Sequence, residues 1–183
     1  MDAAYLPHYT MEDWRRWEGD WELIEGVPYA MAPSPGVTHR SVGVKIVRQL
    51  DEALEACPEY MVVYETDWEV SSDTVIRPDC MVICGQAGER VRRAPRILFE
   101  IVSPQSVIRD EHLKFEIAER EGVPYYVLVY PGGRVAKVFQ WREGRYVKAA
   151  DCTSETFEFG LEACAVGVDF SRVWPRVEVQ PGG

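Results

Sequence analysis

The run Ile97-Leu98-Phe99-Glu100-Ile101-Val102 constrains this chain more than any other feature. A short stretch of this kind, without polar alternation, reads as a strand covered on both faces. Side chains alternate along a strand, so Leu98, Glu100 and Val102 share one face. The pattern therefore places a carboxylate inside an apolar interior. An unpaired buried charge costs several kcal/mol, so Glu100 must be protonated, paired with a cationic side chain, or neutralised by a bound cation.

Two further ionisable residues break apolar patterns. Asp79 follows Arg77-Pro78 and opens the run Cys80-Met81-Val82-Ile83-Cys84; a turn or strand-cap aspartate is the alternative reading. Lys114 lies in a helix predicted over Arg109–Glu121, closed by Gly122. On a wheel of about 100° per residue, Ile117 falls about 60° to one side of Lys114 and Ala118 about 40° to the other. The lysine thus occupies the middle of the apolar face, whereas His112, Glu116, Glu119 and Arg120 lie opposite; snorkelling of its stem is the alternative. Three misplaced charges suggest one site. Carboxylates from neighbouring strands suit a hard divalent cation, Mg²⁺ or Mn²⁺, and a nearby ammonium suits a phosphate oxygen or a metal-bound water. No Gly-rich phosphate loop, GxSxG elbow or HExxH motif is present. Metal-assisted phosphodiester hydrolysis fits best.

A chain of 183 residues is expected to form one domain, here over 1–179, with Gln180-Pro181-Gly182-Gly183 as a frayed tail. A short helix is expected from Thr10, with Asp13 as a capping signal, then a strand over Trp21–Met31 stopped by Pro33-Ser34-Pro35-Gly36. A long amphipathic helix follows over Val37–Cys57, then strands over Tyr60–Val70, Asp79–Cys84 and Arg96–Val102. After the Lys114 helix come a strand over Pro124–Tyr130 and a hairpin of Arg134–Trp141 with Arg145–Ala149, turning at Glu143-Gly144. This order predicts an α/β (mixed α+β) fold: a central mixed sheet flanked by helices, with a C-terminal β-hairpin extension.

Acidic residues outnumber basic ones by 30 to 20, a net charge of −10, which excludes binding nucleic acid or anionic membrane by bulk charge. The excess is uneven: residues 1–30 carry seven acidic and two basic side chains, and 86–120 carry six and seven. Arg90, Arg92, Arg93 and Arg96 fall in one loop, and contact with nucleic-acid phosphates stands there beside a merely solvated loop. Cys57, Cys80, Cys84, Cys152 and Cys164 contain no CxxC pair, so a reduced, cytoplasmic protein is expected. No stretch approaches a membrane span. The six tryptophans read as packing residues, and the exposed edge of the C-terminal hairpin suits a homodimer or higher homo-oligomer.

Arg77-Pro78-Asp79, Phe99-Glu100-Ile101-Val102-Ser103-Pro104-Gln105-Ser106 and Asp110…Lys114…Gly122-Val123-Pro124-Tyr125-Tyr126-Val127-Leu128-Val129 resemble the Uma-type family, assigned as endonucleases. Trp21-Glu22-Leu23-Ile24-Glu25-Gly26 and Pro33-Ser34-Pro35…His39 are similar to its N-terminal signatures. The family belongs to the PD-(D/E)XK superfamily, which implies a restriction-endonuclease-like fold. By this resemblance Asp79 and Glu100 are the motif's acidic residues. The motif lysine would fall at Val102, and the family's lysine is displaced to the following helix, at Lys114. Glu22 most resembles the N-terminal acidic position, with Glu25 its rival of opposite strand parity. The implied scheme has Asp79, Glu100 and the Ile101 carbonyl holding the metal, Lys114 orienting water or stabilising the transition state, and His39 as an outer-shell contact. It makes the protein an endonuclease acting on nucleic acid, DNA foremost. A non-catalytic module that keeps the fold and a small-nucleotide phosphodiesterase are the alternatives.

Overall fold

The computed structural model describes residues 7–31, 36–85 and 88–176; the expected Pro33–Pro35 loop and the Gln180–Gly183 tail lie outside them. Thr10 caps α1 (Met11–Trp14) in a reciprocal capping box with Asp13. The strand expected over Trp21–Met31 is instead a hairpin, β1 (Trp21–Ile24) and β2 (Val27–Ala30). It breaks at Glu25 and Gly26, whose φ of 50° and 77° form the left-handed pair a two-residue hairpin turn requires. Any Cβ at Gly26 would lie 2.3 Å from the His8 ring. Helix α2 spans Val37–Leu54, ending before the expected Cys57.

The strand expected over Tyr60–Val70 also divides, into β3 (Tyr60–Tyr64) and β4 (Trp68–Ser71). Glu65 takes a φ of 45° there, and the chain leaves one sheet for another. An unanticipated β5 (Thr74–Ile76) pairs back onto β4, followed by β6 (Cys80–Cys84) and β7 (Ile97–Ile101). A π-helical turn over Arg109–Leu113 runs into α3 (Lys114–Arg120). Then come β8 (Tyr125–Tyr130) and the expected hairpin of β9 (Val135–Arg142) and β10 (Arg145–Cys152). A second hairpin, β11 (Thr156–Gly160) with β12 (Ala165–Asp169), has no counterpart in the sequence reading.

Six strands form the central mixed sheet, in the order β10-β9-β8-β7-β6-β3. Only β7 and β8 run parallel, and parallel neighbours need a crossover, which the π-helical turn and α3 supply. One face packs on α2, whose Val42, Ile46, Leu50 and Leu54 repeat at helical spacing against Val82, Phe99, Ile101 and Val127. Each such side chain, fully buried, contributes about 1.5–3 kcal/mol. The other face receives Ile117 and Ala118 of α3, with Ile24, Trp68 and Ile76 from the smaller sheet β2-β1-β5-β4. Strand alternation turns Phe99 and Ile101 toward α2, and leaves Leu98 and Glu100 facing α3. The fold is therefore the mixed sheet flanked by helices that the element order predicts. Among the described residues no helix is long and apolar enough to cross a membrane.

The cysteines depart from expectation. Cys57, just past α2, and Cys164, between β11 and β12, form a disulfide with a Cα separation of 6.3 Å, while Cys80, Cys84 and Cys152 are free. Local spacing could not reveal a pair 107 residues apart; the docking of β11–β12 against α2 brings it together. The tryptophans divide too: Trp68 and Trp174 are buried, whereas Trp14, Trp17, Trp21 and Trp141 retain exposure.

Candidate active site

The register of β6 against β7 sets Cys80 opposite Phe99, so one step further Asp79 falls beside Glu100. Asp79 Oδ2 accepts a hydrogen bond from the Ile101 amide at 2.7 Å and lies 3.3 Å from His39 Nε2 on α2. Its Oδ1 has no protein donor among the described residues. The Ile101 contact to Asp79 is thus made by its N–H; a carbonyl contact to the site is a separate expectation.

Lys114 begins α3 and projects from the crossover onto the Glu100 face of the sheet. The residue is 4% exposed, and its ammonium lies 2.9 Å from Glu22 Oε1 and 3.1 Å from Glu100 Oε1. It donates to the Arg77 carbonyl at 3.2 Å and lies 3.7 Å from Asp110 Oδ1. Glu22 comes from β1 and also accepts from the Arg77 amide at 2.8 Å. Its rival Glu25 sits in the hairpin turn, exposed, and pairs with Arg120 at 2.8 Å. Parity allowed only one of the two to face inward, and Glu22 is the one.

These side chains line a cavity of about 540 Å³. Its described lining carries six carboxylates (Asp20, Glu22, Glu65, Asp79, Glu100, Asp110) and four cations (Arg40, Arg77, Arg109, Lys114), a surplus of two negative charges with His39 set aside. Burial pushes the Glu100 carboxyl well above the usual range; Lys114 opposes this, and the neighbouring carboxylates reinforce it. Asp110 is raised chiefly by burial as well. For Lys114, burial favours the neutral amine, but Glu100, Glu22 and Asp110 outweigh it and hold the ammonium charged. Burial likewise lowers His39, but its hydrogen bond to Asp79 and the surrounding carboxylates raise it overall.

The donor set suits a hard cation in chemistry. Glu22 Oε2 and Glu100 Oε1 are buried with no hydrogen-bond donor among the described residues, although Arg109 and Lys114 lie within ion-pair distance of them. Among the described residues no three His, Cys, Asp or Glu side chains converge as a complete ligand set. Mg²⁺ asks for less, since it is usually held by one or two carboxylates and keeps several waters. Asp79 and Glu100 are two carboxylates that line the cleft from adjacent strands.

Several neighbours escaped the sequence reading. Asp110 stands four residues before Lys114 and shares its wheel sector, so it was within reach of that argument. Arg109 was not: an ideal helix puts it about 140° from Lys114, yet across the π-helical turn it reaches Glu22 Oε2 at 3.2 Å. Tyr64, beside Asp79 on β3, keeps a buried hydroxyl with no hydrogen-bond partner among the described residues; burial first, then Glu65 and Asp79, push its pKa up to about 12. Its ring lies against α2 at Gly43, where a Cβ would come within 2.9 Å. His39, which the resemblance names as an outer-shell contact, lies on α2 with Nε2 3.3 Å from Asp79 Oδ2.

Of the loop arginines, Arg90 and Arg92 bind buried Glu69 at 2.7 and 3.0 Å, and Arg96 pairs with Glu162. No ion pair of Arg93 occurs among the described residues. Three of the four arginines are thus engaged in ion pairs within the protein, while Arg92 and Arg93 remain exposed.

The family model Uma2, described as "Putative restriction endonuclease", matches residues 9–161. Among solved structures, the chain is similar to the crystal structure of "a putative nuclease belonging to DUF820" from Anabaena variabilis ATCC 29413, with a TM-score of 0.74 at 14% identity over 90% of this chain and 97% of that one. At that identity the likeness is one of fold. No curated protein matches the chain.

Proposed function

The chain belongs to the Uma2 family, and on that premise we propose that it is a metal-dependent nuclease that hydrolyses phosphodiester bonds in nucleic acid, with DNA the first substrate to test. The observation that carries this reading is the Lys114 ammonium, held between Glu22 and Glu100 on the floor of a cleft that Asp79 also lines. Burying such a cluster is costly, and well-packed apolar side chains are often as stable or more so. A cluster placed at an open cleft is better explained by chemistry.

Asp79 and Glu100 would hold Mg²⁺ or Mn²⁺, with the Ile101 carbonyl as an expected third donor. When bound, the ion supplies a water of lowered pKa and offsets charge on the phosphate. His39 and the Ile101 amide both fix Oδ2 of Asp79, which leaves Oδ1 without a protein donor among the described residues. The surrounding carboxylates favour the ammonium form of Lys114, which would suit a donor to phosphate oxygens that stabilises negative charge there. Glu22 holds Lys114 in place, and Arg109 adds a second cation at the same wall. The carboxylate-rich lining favours capture of a divalent cation, so an acidic protein can still handle phosphate locally.

Supercoiled plasmid incubated with the protein in Mg²⁺ or Mn²⁺, and in chelator, tests the reading. Nicking or linearisation that requires the metal is expected. Intact plasmid, single-stranded DNA and RNA after incubation with both metals would contradict it.

A further inference from the structure

We propose that Arg109 is a substrate-binding residue, whose guanidinium takes a backbone phosphate of the nucleic acid beside the Lys114 ammonium; the inference rests on the nuclease reading and adds the residue that grips the strand. The π-helical turn aims this side chain. Arg109 opens the turn, and the Lys114 amide closes it by donating to the Arg109 carbonyl. A bond of this i→i+5 kind widens one turn of the helix, and such turns occur frequently at functional sites. Two residues that an ideal α-helix sets about 140° apart therefore both line the cleft.

One corner of the guanidinium is anchored and the opposite edge is not. Nη1 donates to the Ala30 carbonyl at 3.3 Å and lies 3.2 Å from Glu22 Oε2. The Glu22 contact lacks hydrogen-bond geometry, since Oε2 has no donor among the described residues. Nε and Nη2 have no acceptor among the described residues, and the side chain keeps 14% exposure at the cleft wall. That edge is the planar fork that matches two oxygens of a phosphate.

Glu22 does not use up this charge. Its one carboxylate serves two cations, Arg109 at Oε2 and Lys114 at Oε1, and no other carboxylate among the described residues pairs with Arg109. Arg77, at the same cleft, differs: Asp67 at 2.8 Å and Asp20 at 2.6 Å satisfy it. Sitting on opposite oxygens of one carboxylate, Arg109 and Lys114 stand side by side, and Lys114 reaches on to Glu100 at 3.1 Å. A phosphate held by the Arg109 fork therefore lies next to the carboxylates proposed for the metal. The cleft-lining residues just before Arg109 on the crossover, Ser103, Gln105 and Ser106, carry no charge to oppose it.

The test titrates a fluorescently labelled DNA duplex and its separate strand in Ca²⁺ and in chelator, over a series of salt concentrations, with binding read by anisotropy. It is run at a temperature at which circular dichroism shows every variant folded. A side chain that neutralises one phosphate contributes about one unit to the slope of log affinity against log salt. Arg109→Gln keeps a donor for the Ala30 carbonyl but loses the charge; it is expected to bind roughly tenfold more weakly and to lose about one unit of slope. Arg109→Lys, with the charge but not the fork, is expected to keep the slope and recover part of the affinity. Arg142→Ala, beyond the far end of β8 from Glu100 in the strand register, is expected to bind as wild type. Wild-type affinity in Arg109→Gln, weaker binding with an unchanged slope, or no DNA binding by wild type overturns the phosphate contact even if plasmid is cleaved. A slope lost with Arg109 but no cleavage by wild type keeps the contact and overturns the nuclease reading alone.

Discussion

Lys114 on the crossover helix and Glu22 on the first strand of the smaller sheet meet at 2.9 Å, both almost wholly buried. The contact ties α3 to the second sheet directly above Glu100, so the same cation that neutralises the site also joins the two sheets across it.

Removing that cation strands several carboxylates in the interior. Lys114→Ala is expected to cost about 3–5 kcal/mol, the range for breaking a buried ion pair on one side, read from urea unfolding. The double variant Lys114→Met with Glu22→Gln, which removes both charges, is expected to recover part of that loss. A single variant as stable as wild type would show that the cluster is not coupled as the distances imply.

His39 lies 3.3 Å from Asp79 Oδ2, and under the proposed scheme it would act through that carboxylate rather than on substrate. Losing such a supporting contact typically costs about 10–100-fold in metal affinity or activity. His39→Ala is expected to weaken Mn²⁺ binding in a calorimetric titration by that factor, with its melting temperature little changed. Mn²⁺ affinity equal to wild type would make the 3.3 Å contact structural only.

Glu69 gives the acid limb of stability a named source. Burial pushes its carboxyl up, but hydrogen bonds from Arg90, Arg15 and Arg92 outweigh this and leave it below its ordinary pKa. A depressed folded pKa stabilises above the unfolded value, about 4.3, and the contribution vanishes as pH falls through the folded value. Glu69→Gln is expected to cost on the order of 2 kcal/mol near neutrality. The gap from wild type should close below about pH 4; a gap that stays constant into acid would exclude Glu69 as the source.

Thiol titration checks the disulfide. The unreduced, unfolded protein is expected to show three thiols, from Cys80, Cys84 and Cys152, and five after reduction. In the chain-entropy account a cross-link of this span contributes about 4.7 kcal/mol, so reduction should lower the melting temperature visibly. Five thiols without reductant would contradict the Cys57–Cys164 pairing.

Much of the site was legible because single residues violated strong local patterns. Glu100 interrupts a doubly buried strand and Lys114 an apolar helix face, and periodicity alone exposes both. Asp79 was legible from its place after Arg77-Pro78 at the head of an apolar run, and the register of β6 against β7 then sets it beside Glu100. What stayed hidden depends on tertiary geometry. The left-handed turns at Glu25-Gly26 and Glu65 split expected strands, and the π-helical turn brought Arg109 inward. The Cys57–Cys164 pair and the Glu69 clamp join segments whose proximity only the docked sheets create. Gly26, in a Glu-Gly pair between apolar residues, was a hairpin signal present in the sequence and passed over.

Cleavage of supercoiled plasmid in Mn²⁺ by wild type, Asp79→Ala and Lys114→Ala, each first shown to be folded, tests the central claim most directly. Metal-dependent nicking by wild type, reduced at least a hundredfold in both variants, is the expected result. Equal cleavage by all three would contradict the claim that Asp79, Glu100 and Lys114 form the active site.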